Sequence, residues 1–166
     1  MRYVLRRREI ALDDWHDLGE PSAPGCPLIV PLVELRRDRL SWRQWPGALG
    51  VRIAPDDAPE ALSDELPGLE LVAVEFPNPG DGRGYSLGRL LRERMGFRGE
   101  LRAVGAGVRQ DQVFLMSRCG FDSMQLAPGE DLEAARRALQ RYDVAYQPAV
   151  AVTDAAAIIR GQRFFA

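Results

Sequence analysis

FPNPGDGRGYSLGRLLRERMGFRGELRAVGAGVRQDQVFLMSRCGFD, residues Phe76–Asp122, is the stretch on which the fold turns. Its segment Ser86–Met95 places Leu87, Leu90, Leu91 and Met95 on one helical face and Arg89, Arg92, Glu93 and Arg94 elsewhere, with Gly96 well placed as a stop. Leu101–Val104 follows as a strand, Gln110–Cys119 as a helix stopped by Gly120, and Phe121–Leu126 as the next strand. Arginine, aspartate and glycine fall in the turns, where a strand–helix scaffold projects side chains toward ligands.

The same alternation extends outward. Upstream, Leu71–Phe76 has the continuous apolar character of a buried strand. Ala58–Leu66 is expected as a helix capped by Asp56 or Asp57, and Val51–Ala54 as a short strand. Downstream, Asp131–Tyr142 reads as a helix with Leu132, Ala135, Leu139 and Tyr142 on one face and a Glu133–Arg137 pair one turn apart. Strands alternating with helices imply right-handed crossovers and a parallel α/β sheet. Four βα units are too few for a complete eight-stranded barrel. Two architectures follow: a half TIM-barrel completed by N-terminal strands or by a second copy in a homodimer, or an open doubly wound sheet.

Residues 1–49 read as β-rich and irregular, with β-type runs at Tyr3–Leu5, Leu28–Leu35 and Leu40–Trp45. Pro31 confines the second of these to an edge or a bulge. At 166 residues the chain is expected to be one domain, with a βα core over 50–147 and a tail over 148–166 that holds a capped turn at Thr153–Arg160. The N-terminus has no apolar run of signal-peptide length, and the expectation is a soluble cytoplasmic protein.

The 22 basic residues are all arginine and face 24 acidic ones. A net charge near −2 points away from nucleic acid or a membrane surface and toward a small molecule or a protein partner. Without lysine there is no Schiff base and no P-loop lysine. Cys26, Cys119 and His16 are too few for a zinc site or an iron–sulfur cluster, so no metal is expected. Cys119 at a helix end reads as a packed, inert thiol, and Trp42 and Trp45 as core or interface aromatics.

The turn Pro77–Tyr85 is longer than strand-to-helix turns usually are. Gly80, Gly82 and Gly84 free its backbone, Ser86 can cap the next helix, and the amides there favour an anion. Arg83 offers a forked donor that Asp81 can hold in place, unless the two pair only with each other. Gly105 and Gly107 resemble the start of a dinucleotide fingerprint, but Gln110 replaces the third glycine and no acidic residue ends the following strand. Asp111 suits a helix dipole, and Gln112 is the natural residue to face a cleft. Tyr146 and Gln147 pack a last turn as readily as they bind anything. With Tyr85, Arg102 and Arg109, the candidate anion-binding set is Asp81, Arg83, Tyr85, Ser86, Arg102, Arg109, Asp111 and Gln112.

Read together, DGRGYS (Asp81–Ser86), LLRERMGFRGELRAVG (Leu90–Gly105), DQ (Asp111–Gln112) and RCGFD (Arg118–Asp122) resemble the bacterial domain-of-unknown-function family numbered nine hundred and thirty-four. The likeness is sharpest over Gly50–Gln147, and IVPL (Ile29–Leu32) also fits. The chain departs from the family at Ala106, where an acidic residue is expected, and at Asn78–Pro79–Gly80. The resemblance implies a gene beside assimilatory sulfite reductase and carries an oxidoreductase label. Two expectations follow from it: an accessory protein that binds an anionic ligand or sulfite reductase through an arginine-rich rim, or an oxidoreductase using a borrowed flavin or nicotinamide. A non-catalytic interaction module is the third.

Overall fold

The computed structural model describes residues 2–141. The expectations for Tyr142, Tyr146, Gln147 and the turn at Thr153–Arg160 lie outside the described residues. The chain forms a mixed α/β fold built on one eight-stranded sheet, curled as a half-barrel, in the order β2-β1-β8-β7-β6-β5-β4-β3. The strands are β1 Tyr3–Arg6, β2 Glu9–Leu12, β3 His16–Asp17, β4 Leu28–Pro31, β5 Leu49–Ile53, β6 Leu71–Glu75, β7 Glu100–Val104 and β8 Ser123–Met124. From β3 to β8 all neighbours are parallel, whereas β1 runs antiparallel to both β2 and β8.

Connectivity explains the curl. Laid flat, eight strands would span ~34 Å from edge to edge. Yet β2 and β3, the two edges, are joined by Asp13–Trp15 alone, a link that reaches about 14 Å at most. The short link draws the edges toward each other and carries Asp13 and Trp15 across the concave face.

The convex face holds the larger core. Val30, Val51, Ile53, Val72, Val74, Leu101, Ala103 and Met124 pack there beneath the helices. These are α1 Leu32–Arg37, α2 Arg39–Arg43, α3 Arg83–Arg89, α4 Val113–Arg118 and α5 Leu132–Gln140. On the concave face, Trp15, Ile29, Leu71, Ala73 and Val104 form a small apolar cluster.

Several elements differ from their sequence expectation, each for a local reason. Leu40–Trp45 is no strand: Asp38 accepts from Ser41 N at 3.2 Å and starts α2. Ala58–Leu66 is no α-helix. Asp57 turns back to accept from Ala54 N at 2.7 Å, and Pro59 and Pro67 fall in two separate 3₁₀ turns, Pro59–Leu62 and Leu66–Gly68. The central helix begins at Arg83 rather than Ser86, with Gly82 as its N-cap, and passes into a π-helical turn at Leu90–Arg94 before Gly96. Phe121–Leu126 narrows to β8, because Asp122 accepts from Leu101 N at 2.9 Å through its side chain. Glu133 pairs with Arg136 at 2.9 Å instead of Arg137. Pro31 ends β4 beyond the reach of two-residue β3, where its missing N–H costs no ladder bond.

Candidate functional site

The turns that follow β5, β6, β7 and β8 share one edge of the sheet, and four of the expected residues meet there. Asp81 receives a forked contact from Arg83, Nε to Oδ1 at 2.9 Å and Nη2 to Oδ2 at 2.6 Å. Arg83 Nη1 donates to Asp56 on the neighbouring turn. Of the five guanidinium N–H bonds, three are thereby used and two remain. One turn along, Tyr85 Oη donates to Gln112 Oε1 at 3.2 Å, while Gln112 Nε2 donates to the Pro79 carbonyl at 3.0 Å. These bonds tie the turn after β6 to the turn after β7.

Close packing makes this meeting possible. A Cβ on Gly107 would lie 2.5 Å from the Asn78 carbonyl oxygen, and one on Gly105, at φ 108°, 2.6 Å from that of Phe76. Gly107 N donates to Phe76 O at 2.7 Å instead. The glycines that resemble a dinucleotide fingerprint are thus accounted for by the contact of two turns. Gly84 and Gly88 let α3 lie against the rings of Phe76 and Phe121, which themselves pack edge-to-face 5.6 Å apart. That seating places Tyr85, whose ring meets Phe76 at 5.2 Å.

The electrostatics favour holding over reacting. The bond from Arg83 lowers the Asp81 carboxyl from its ordinary value to about 2, and the same bond raises the Arg83 guanidinium. Burial, with Cys119 and the Asp111 carboxylate adding to it, pushes the Tyr85 hydroxyl up. Burial also pushes the Cys119 thiol up, against the pull of Arg89 and Arg118. Both the Tyr85 hydroxyl and the Cys119 thiol are thereby disfavoured in their charged, nucleophilic forms.

Of the remaining expected residues, Asp111 is exposed beside Gln112 and acts on the Tyr85 hydroxyl, whereas Arg109, Ser86 and Arg102 sit apart. Arg109 is on the same edge, but its Nε lies 2.8 Å from Glu130, which also accepts from Gln110 N at 2.8 Å. Ser86 is exposed and caps nothing, since α3 already starts three residues earlier. Arg102 does not join the rim. It points into the concave face at 0% exposure, with Nη1 2.8 Å from Asp13, Nη2 2.8 Å from Glu100 and Nε 3.3 Å from Ser123 Oγ. Glu100 in turn meets Arg6 at 3.2 Å, Asp13 meets Arg2 at 2.8 Å, and Asp17 meets Arg52 at 2.5 Å.

Sequence reasoning misses Asp56, Glu130 and Asp13. Asp56 is concealed by an expected helix cap, and Glu130 by its place just before α5. Asp13 has no local signal, because its partner is 89 residues away. Among the described residues no three His, Cys, Asp or Glu side chains are grouped so as to hold a metal ion. Among them, too, no helix is long and apolar enough to cross a membrane.

A search of curated proteins finds no match for the chain. Residues 50–157, more than half of the chain and the whole of the rim, match the family described as "Bacterial protein of unknown function (DUF934)", and the chain belongs to that family.

Proposed function

We propose that the protein is a non-catalytic accessory factor of assimilatory sulfite reduction that binds the reductase through the rim built by Asp56, Asp81, Arg83, Tyr85 and Gln112. The observation that carries this reading is Arg83. Its guanidinium is fixed by Asp81, its side chain is 53% exposed, and two N–H bonds are left for an acidic group. A cation held in place beforehand loses less side-chain freedom on binding. Asp56 is more exposed still and is the partner that an incoming carboxylate or oxyanion would displace.

The sulfite context comes from the likeness of DGRGYS and RCGFD to the family. What supports binding over nucleophilic catalysis is that burial disfavours the charged forms of Tyr85 and Cys119. The test is titration of purified assimilatory sulfite reductase with the protein, followed by calorimetry at low and moderate salt. Saturable binding that weakens as salt rises is expected, because an exposed guanidinium contact is screened. Absence of binding, together with normal growth of a deletion strain on sulfate as sole sulfur source, would refute the reading.

A further inference from the structure

At the opposite edge of the sheet, beside the starts of β5 and β6, lies a cavity of about 280 Å3. It approaches the size of sites that take small molecules. Trp42, Trp45 and Leu35 supply its apolar wall. The two indole rings are 6.3 Å apart and tilted by 55°. Each is pinned by its own N–H, Trp42 Nε1 to the Glu34 carbonyl at 3.0 Å and Trp45 Nε1 to that of Cys26 at 3.1 Å. With both N–H groups used, what the rings offer the cavity is π surface.

Glu65 also lines this cavity, and only 8% of it is exposed. Neither of its buried carboxylate oxygens accepts a hydrogen bond. Arg39 Nε comes within 2.8 Å of Oε1, which offsets the charge, but it lies off the N–H direction and leaves the lone pairs without a donor. A buried carboxylate is rarely left so, since each unmet acceptor costs stability. Exposed Asp64 and Arg43 complete the wall with one charge of each sign.

We infer that this cavity is a binding site for a small organic ammonium ion. Its N–H groups supply the donors that Glu65 lacks, and its methylenes lie on the Trp42 and Trp45 rings, where a cation is attracted to the π face. The ammonium can belong to a simple alkylamine or to an amino-acid zwitterion. In the second case Arg43 receives the carboxylate.

Trp42 and Trp45 are two of the three tryptophans in the chain, so intrinsic fluorescence reports on the site. The full chain is titrated with n-butylammonium, L-leucine, n-butanol and isocaproate. Saturable change with n-butylammonium and none with n-butanol is expected. Stronger binding of L-leucine, lost selectively in Arg43→Ala, assigns the zwitterion; equal response to n-butylammonium assigns the plain amine. Glu65→Gln is expected to weaken binding about tenfold or more. If neither ammonium compound saturates, so that water alone meets Glu65, or if n-butanol or isocaproate binds as well, the inference is overturned. That comparison uses the unmodified chain and holds even if Glu65→Gln fails to fold.

Discussion

The concave face and the rim use the same chemistry, arginine against carboxylate, in opposite surroundings. On the concave face the side chains of Arg102 and Asp13 are both fully buried, and their remaining polar atoms are met by Glu100, Ser123 and Arg2. At the rim Arg83 is half-exposed and Asp56 almost wholly so. Charges taken out of water hold together only when every partner is present, whereas exposed pairs exchange partners at little cost. The inner network therefore belongs to the fold: it joins the link between the sheet edges to β1, β5, β7 and β8. The rim belongs to recognition.

The largest expected effect comes from breaking the inner network. Arg102→Leu takes one of two cations from each of two carboxylates, leaving Glu100 to Arg6 and Asp13 to Arg2, and should lower unfolding free energy in urea by about 3–5 kcal/mol. A loss below about 1 kcal/mol, the range of surface pairs, would erase the contrast between the two regions.

The next test concerns the seating of the rim. Glycine to alanine within a helix normally gains about 1 kcal/mol. At Gly88, however, the new methyl would lie 2.5 Å from the Phe121 ring and 3.3 Å from the Cys119 carbonyl oxygen. Gly88→Ala should instead destabilise by about 1–3 kcal/mol. A gain would mean that α3 moves freely on the sheet and does not fix Tyr85.

Smaller effects arise at the rim itself. In a carboxyl-detected NMR titration Asp81 should show a midpoint of about 2. Arg83→Ala should raise it toward the ordinary carboxylate range of about 4, though not fully, because the residue-83 backbone N–H still donates to Oδ1 at 3.1 Å. The lowered value makes the pair a contributor to stability above about pH 4, lost as pH falls toward 2. An ordinary midpoint in the unmodified protein would show that Arg83 spends its time elsewhere. Because Arg83 is half-exposed, Arg83→Ala should lower the urea midpoint at neutral pH only slightly, well short of the loss in Arg102→Leu.

Much of the scaffold is legible in the order of the residues. The apolar runs Leu71–Phe76 and Leu101–Val104 become β6 and β7 to within one residue, and Gly96 and Gly120 stop their segments at φ 68° and 97°. The curl is not legible, because the hairpin that begins it turns on Arg7 and Arg8 at φ 47° and 72°, where asparagine and glycine are the usual signal. The inner network does leave a trace. Glu100, Leu101, Arg102 and Ala103 alternate charged and apolar in a strand that lies between parallel neighbours, where both faces are normally apolar. The rim contact of Arg83 with Asp81 follows from turn chemistry two residues apart, whereas Asp56 reaches Arg83 across 27 residues and Gln112 reaches Tyr85 across 27 and Pro79 across 33, contacts settled only by packing.

Whether the inner arginine serves folding and the rim arginine recognition is decided by measuring Arg83→Ala twice. Its affinity for assimilatory sulfite reductase is compared with the parent by calorimetry, and its urea unfolding is followed under the same conditions. Binding should weaken by about tenfold or more, as for loss of a charged hydrogen bond, while the unfolding midpoint falls only slightly. Unchanged affinity, or a lowered midpoint that accounts for the loss, would contradict this division of roles.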